Sequence, residues 1–248
     1  MRDTENSITT VILAGGLGTR IQHLLPDVPK PMAMVAGRPF LEHIVRYVGG
    51  FGFRRIILST GHRSNVIERH FADSKFDDLD LRCAPERAPL GTAGGFLHAA
   101  RNESSMPAAY LILNGDSLVL ADLRQFADSF EQGHWDAAMI GLSVADAARF
   151  GTLEKRDDGS LARFAEKRPG SGSINAGVYL LRPRLLKQFP TDVRLSFETD
   201  VFPTLISRGC RILVHPVEAP FIDIGIPETL AGAEVFIREN QSRFVRQP

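Results

Sequence analysis

Cysteine is scarce in this chain of 248 residues: Cys83 and Cys210 are its two thiols, and both lie in apolar segments. Two such residues do not make a disulfide framework, so reduced, buried side chains are expected, with no metal site built from them. Long apolar runs are missing as well, none approaching the ~20 residues of a membrane span. The polar amino terminus carries no signal-peptide core. A cytoplasmic protein without a membrane partner is therefore expected, and the sequon Asn102-Glu103-Ser104 is read as accidental. An excess of one charge is also lacking, since 29 Lys and Arg balance 29 Asp and Glu. No general field draws in nucleic acid, so any anion site has to be built locally. The seven histidines lack metal-ligand spacing. There are no internal repeats, and the one low-complexity patch, PGSGS at 169–173, reads as a flexible loop.

Aliphatic runs and glycines are plentiful. With 44% hydrophobic residues, the chain can bury a large core as a single unit. Short Val, Ile and Leu-rich stretches at 8–14, 54–60, 79–84, 109–114 and 136–144 predict strands, while Leu41, Ile44, Val45 and Val48 repeat at helical spacing. Residues 65–71, 91–100, 123–130 and 227–239 are further helical candidates, the last opening on a proline. This alternation predicts an α/β fold, with a Rossmann-like, mostly parallel mixed sheet flanked by helices. Residues 151–181 hold two short runs around Asp157-Asp158-Gly159, a hairpin signal, and then a longer strand, read as a small lobe built onto the first half. The expected organisation is one unit over 1–248, its two halves meeting at about 145–146.

The segment VILAGGLGTR at 11–20, followed by Pro29-Lys30-Pro31, couples an apolar strand to a glycine turn and two cations. Gly15, Gly16 and Gly18 permit positive φ and close approach, so successive N–H groups can face phosphate oxygens. Arg20 can add a forked clamp and Lys30 a movable charge. No Gly-Lys-Ser/Thr follows, and position 21 is Ile, so neither the P-loop nor the GxGxxG fingerprint is present. A tight turn with solvated charges is the plain alternative.

This pattern resembles the sugar-1-phosphate nucleotidyltransferases, whose signature is a GGxGTR loop followed by Pro-Lys-Pro. The likeness continues through LGTAGG at 90–95, LNGDS at 113–117, AEKRP at 165–169, INAGVYLL at 174–181, SFETD at 196–200 and FIDIG at 221–225. Within the family it is strongest to the guanylyltransferases of D-glycero-α-D-manno-heptose 1-phosphate. The run IQHLLPDV after Arg20 departs from the pattern of many relatives, as does Arg168 between Lys167 and Pro169.

The resemblance implies Mg²⁺-dependent transfer from an NTP to a sugar 1-phosphate, with a nucleotide site of Leu13, Ala14, Gly15, Gly16, Gly18, Thr19, Arg20, Lys30, Glu86, Pro89, Gly91 and Thr92. Magnesium takes hard oxygen ligands and few protein carboxylates. Asp116 and Asp223 are the family's metal pair by context, although each alone also fits a turn or cap. The resemblance carries Glu166, Lys167, Asn175, Gly177 and Glu198 over as sugar-phosphate contacts, with Gly115 approaching by its backbone. Arg20, Lys30, Lys167 and Asp116 are the expected catalytic set. A carboxylate can accept both N1–H and N2–H of guanine, so Glu86 favours GTP; a solvated loop glutamate, or base reading by Gly91, fits equally. Uridylyl or thymidylyl transfer to a hexose or amino-sugar 1-phosphate stays open, as do a catalytically silent sensor and oligomerisation.

Overall fold

The computed structural model describes residues 7–73, 76, 78–103, 106–148, 152–165 and 170–244. Strand β1 (Ile8–Ala14) leads into the glycine loop, and a short ribbon of β2 (Met34–Val35) and β3 (Arg38–Pro39) precedes helix α1 (Phe40–Gly50). Then come β4 (Arg55–Thr60), α2 (Ser64–Asp73), β5 (Asp80–Pro85), α3 (Gly91–Arg101) and β6 (Ala109–Asn114). The middle of the chain forms β7 (Ser117–Val119), α4 (Leu123–Gln132), β8 (Ala137–Val144), β9 (Thr152–Lys155), β10 (Leu161–Ala165) and β11 (Gly172–Leu181). Helix α5 (Phe202–Ser207), β12 (Ile212–Val217), β13 (Phe221–Asp223) and α6 (Pro227–Glu239) complete it.

Nine of the described strands form one sheet, with β5, β4, β1 and β6 parallel and β11 antiparallel to β6. Beyond β11 the sheet forks: β8 pairs with it along most of its length and carries β12 in parallel, while β9 joins near its start and carries β10. The lobe expected over 151–181 joins the first half through its longest strand, β11, which is a member of the same sheet. The hairpin forms around Asp157–Gly159 as expected, with Gly159 at φ +81° and its N–H on the Arg156 carbonyl. The patch at 169–173 is corrected in part: Gly172 and Ser173 are paired with Val144 and Ser143 inside β11, and Pro169 lies outside the described residues.

Side chains alternate across the strands, so the sheet buries two cores. Ile8 and Ile12 of β1 face one core with α1, α2, α4 and α6; Val11 faces the other, with Phe96 of α3 and Phe202 of α5. Asp122 caps α4, accepting from the Arg124 and Gln125 N–H groups at 3.0 Å. Cys83 and Cys210 are free thiols but half-buried rather than buried, and burial pushes the Cys83 thiol up to about 11. This suits inert side chains.

Candidate active site

Parallel strands with helices on both faces collect their loops at the carboxyl ends. The glycine loop leaves β1 there, Glu86 leaves β5, and Gly115 and Asp116 leave β6. Because β11 runs the other way, its early residues Asn175 to Gly177 reach the same edge just beyond the Val178–Leu113 pairing.

The three loop glycines serve different ends. Only Gly18 takes a positive φ, +62°, and a Cβ on it would meet Lys30 Cβ at 2.9 Å. On Gly15 a Cβ would stand 2.7 Å from Glu86 Oε1, whereas on Gly16 it would meet nothing within 4 Å. Gly61, after β4, completes the support: its own Cβ would stand 2.8 Å from the Gly15 carbonyl, which accepts the His62 N–H. The sequence reading missed this residue, whose signal was a glycine directly after a buried Ser59-Thr60 strand end. Among the described residues, none of the backbone N–H groups from Gly15 to Arg20 donates a hydrogen bond, and Thr19 and Arg20 are exposed, with no ion pair on Arg20. Unpaired donors and a free guanidinium on one loop are the groups that can receive an anion.

Leu90-Gly91-Thr92-Ala93-Gly94-Gly95 behaves otherwise. Gly91 sits at φ +72°, and Cβ atoms on Gly91 and Gly94 would stand 2.6 Å from the Leu195 and Val193 carbonyls. The Leu195 carbonyl accepts the Ala93 and Gly94 N–H groups at 3.0 and 3.2 Å, capping α3. Thr92 Oγ1 accepts the Phe197 N–H at 3.2 Å, tying this turn to the SFETD segment. A Cβ on Gly95 would collide with Glu86 Oε1. Pro89 is exposed beside this turn.

Glu86 stands between the two segments. Its Oε2 accepts the Leu90 N–H at 3.0 Å and its Oε1 the Ser59 hydroxyl at 3.3 Å. Burial pushes its carboxyl above the ordinary value, against the pull of those two donors. The carboxylate is turned inward, with each oxygen holding one protein donor.

Lys30 follows Pro29 at the start of a tight turn, is 13% exposed, and makes an ion pair with Asp116. Asp116 immediately precedes β7, and Asp223 ends β13; Asp223 is paired with Ser117, and Ile224 N–H donates to the Asp116 carbonyl at 2.9 Å. This two-stranded ribbon, invisible in the sequence, brings both aspartates to one place. Asp223 Oδ1 also accepts the Gly225 N–H at 2.6 Å. No group of three or more His, Cys, Asp or Glu side chains suited to a metal occurs among the described residues. Two carboxylates alone fit an ion such as magnesium that keeps water and phosphate as its other ligands.

Among the residues expected to meet the sugar, Asn175 has both of its amide protons engaged within the protein. Its Nδ2 donates to Glu198 Oε1 at 2.8 Å and to the Tyr179 hydroxyl at 2.9 Å, and its Oδ1 accepts the Gly177 N–H at 3.0 Å. Gly177, at φ +73°, lies in the bulge between Asn175 and Tyr179, where any Cβ would collide with Asn114. Glu198 is exposed in a wide helical turn whose first N–H groups Ser196 caps. Gly115 presses on β1: its N–H donates to the Leu13 carbonyl at 2.9 Å, next to the buried Ala14. Glu166 and Lys167 lie outside the described residues.

An α/β sheet with a donor-rich glycine loop, a lysine held on a strand-end aspartate and a second aspartate beside it defines a phosphate-handling enzyme of the nucleotide-binding class. A profile of the nucleotidyl transferase family matches residues 9–240, and the chain belongs to that family as a sugar-1-phosphate nucleotidyltransferase. It is 32% identical over 225 residues to the D-glycero-alpha-D-manno-heptose 1-phosphate guanylyltransferase of Aneurinibacillus thermoaerophilus, covering 90% of this chain and 96% of that one. It is 33% identical over 229 residues to the mannose-1-phosphate guanylyltransferase of Mycobacterium tuberculosis, covering 90% of this chain but only 62% of that longer one. The crystal structure of HddC from Yersinia pseudotuberculosis complexed with GMP-PN superposes with a TM-score of 0.80 at 33% identity, covering 92% of this chain and 98% of the other. Enzymes of the family typically use a divalent metal. No described helix is long and apolar enough to cross a membrane.

Proposed function

We propose that this enzyme transfers the guanylyl group of GTP to D-glycero-α-D-manno-heptose 1-phosphate, forming GDP-heptose and pyrophosphate. The observation that carries the reading is the loop from Gly15 to Arg20, whose unpaired N–H groups and free guanidinium face no protein acceptor among the described residues. The likeness to the heptose and mannose guanylyltransferases supports guanine and a manno-configured sugar.

In the reaction, a phosphate oxygen of the sugar 1-phosphate forms a bond to the α-phosphorus of GTP. The bond from that phosphorus to the bridging oxygen of the β-phosphate breaks, and pyrophosphate leaves with its electron pair. The nucleophile is already ionised at neutral pH, so positioning and charge stabilisation do the work. The loop amides, Arg20 and Lys30 hold the triphosphate; Lys167 meets the phosphate of the sugar 1-phosphate, and Glu166, Asn175, Gly177, Glu198 and Gly115 line the sugar. Asp116 and Asp223 would hold Mg²⁺, which when bound neutralises phosphate charge. Lys30 neutralises Asp116 in the structure described here.

Pyrophosphate release from a panel of four NTPs against heptose, mannose and glucose 1-phosphates, with Mg²⁺, tests this reading. GTP with the heptose should turn over fastest, and Asp116→Asn and Asp223→Asn should lose most of that turnover while staying folded. Faster turnover of UTP or dTTP with glucose 1-phosphate would replace the specificity, and no pyrophosphate from any pair would leave a silent nucleotide-sugar sensor.

A further inference from the structure

Beneath the sugar site lies a residue that none of the substrate contacts includes. Tyr179 is 2% exposed, and its ring packs on Phe197 at 4.9 Å and Phe202 at 5.2 Å between centroids. Its hydroxyl is the inner end of a short chain: the Asn175 amide donates one proton to it and the other to Glu198 Oε1, while the amide oxygen holds the Gly177 N–H. The orientation of that amide matters. Rotated by half a turn, the oxygen would face the Glu198 carboxylate and the NH₂ group would face the Gly177 N–H, so acceptor would meet acceptor and donor meet donor.

We propose that Tyr179 is a positioning residue that makes the Asn175–Glu198 pair acceptors only, selecting a sugar whose neighbouring hydroxyls donate. Both amide protons are consumed within the protein, one of them by the phenol from below. What the pair turns outward is the second oxygen of exposed Glu198 and the remaining lone pair of Asn175 Oδ1. Two hydroxyl groups of a neutral sugar satisfy those acceptors, whereas a carbonyl acceptor, such as that of an acetamido group, would find no donor on this pair. The aromatic packing keeps the phenol fixed, because its ring cannot turn without disturbing Phe197 and Phe202. The proposal rests on the sugar-phosphate reading above and deepens it.

Tyr179→Phe keeps the ring and removes the acceptor. The Michaelis constant for the sugar 1-phosphate should rise about 2- to 12-fold, the range of one neutral hydrogen bond, while that for GTP holds. Discrimination against an N-acetylamino sugar 1-phosphate should fall as well. In the ligand-free protein, the side-chain NH₂ resonances of Asn175 should be resolved and slow to exchange in wild type, and one of them fast in Tyr179→Phe. Equal weakening of both substrates, or of neither, in a folded variant would overturn the proposal, as would unchanged Asn175 resonances. If wild type turned over no sugar phosphate, the proposed function would fail instead, and the amide resonances alone would decide whether Tyr179 pins Asn175.

Discussion

Two glycine-rich segments, Gly15 to Gly18 and Gly91 to Gly95, read alike in the sequence and are opposites in the fold. At Gly16 the space a Cβ would fill is open; at Gly91 and Gly94 it is taken by the carbonyls of Leu195 and Val193. The first segment keeps its N–H groups unpaired among the described residues, while the second gives those of Ala93 and Gly94 to Leu195. Both are places where a backbone comes close to something. In the first that something is a ligand in our account, and in the second it is the loop bearing the SFETD residues.

The contrast can be broken by adding a single methyl group. Gly91→Ala forces a left-handed residue and a clash with a carbonyl, and should cost roughly 2–4 kcal/mol of folding stability. Gly16→Ala should change stability by less than about 0.5 kcal/mol and weaken nucleotide binding. Denaturant midpoints for both variants check this, and equal losses would erase the distinction.

A second test separates the cations. Arg20→Met should weaken NTP binding about tenfold to a few hundredfold, the range of a hydrogen bond to a charged group, without loss of stability. Lys167→Met should weaken the sugar phosphate instead. Calorimetric titration of each folded variant with GTP decides the matter, and equal weakening by both would place Lys167 in the triphosphate site.

Glu86 joins the two segments and supplies the smallest effect. Folding raises its pKa, so its stabilising share is complete below the ordinary value of 4.5 and is lost as pH rises through the folded value. Against Glu86→Gln, wild type should therefore lose ground in thermal unfolding as pH rises above 4.5; a constant gap would contradict the half-buried, inward carboxylate.

Much of the frame was legible because it rests on local pattern. The β1 and β6 runs are short and rich in aliphatic residues, and Pro227 marks the start of α6, so their bounds agree with the sequence reading to the residue. The ribbon of β7 and β13 was not legible, since three residues carry no period, yet it is what joins Asp116 to Asp223. The wide turn at Phe197–Val201 was hidden too, because Ser196 and Glu198 look like an ordinary helix start. Residue types announced Glu86 and Asn175 as polar groups near the site. Which way each faces is set by distant partners, Leu90 and Ser59 for one and Tyr179 for the other, and no local spacing encodes that.

The claim that the loop from Gly15 to Arg20, and not the start of α3, holds phosphate is tested most directly by amide hydrogen exchange with Mg²⁺ and pyrophosphate, a probe that lacks a base and a sugar. Our account predicts slowed exchange across residues 15–20 and unchanged exchange at 91–95. Protection centred on 91–95, with residues 15–20 exchanging as in the free protein, would contradict it.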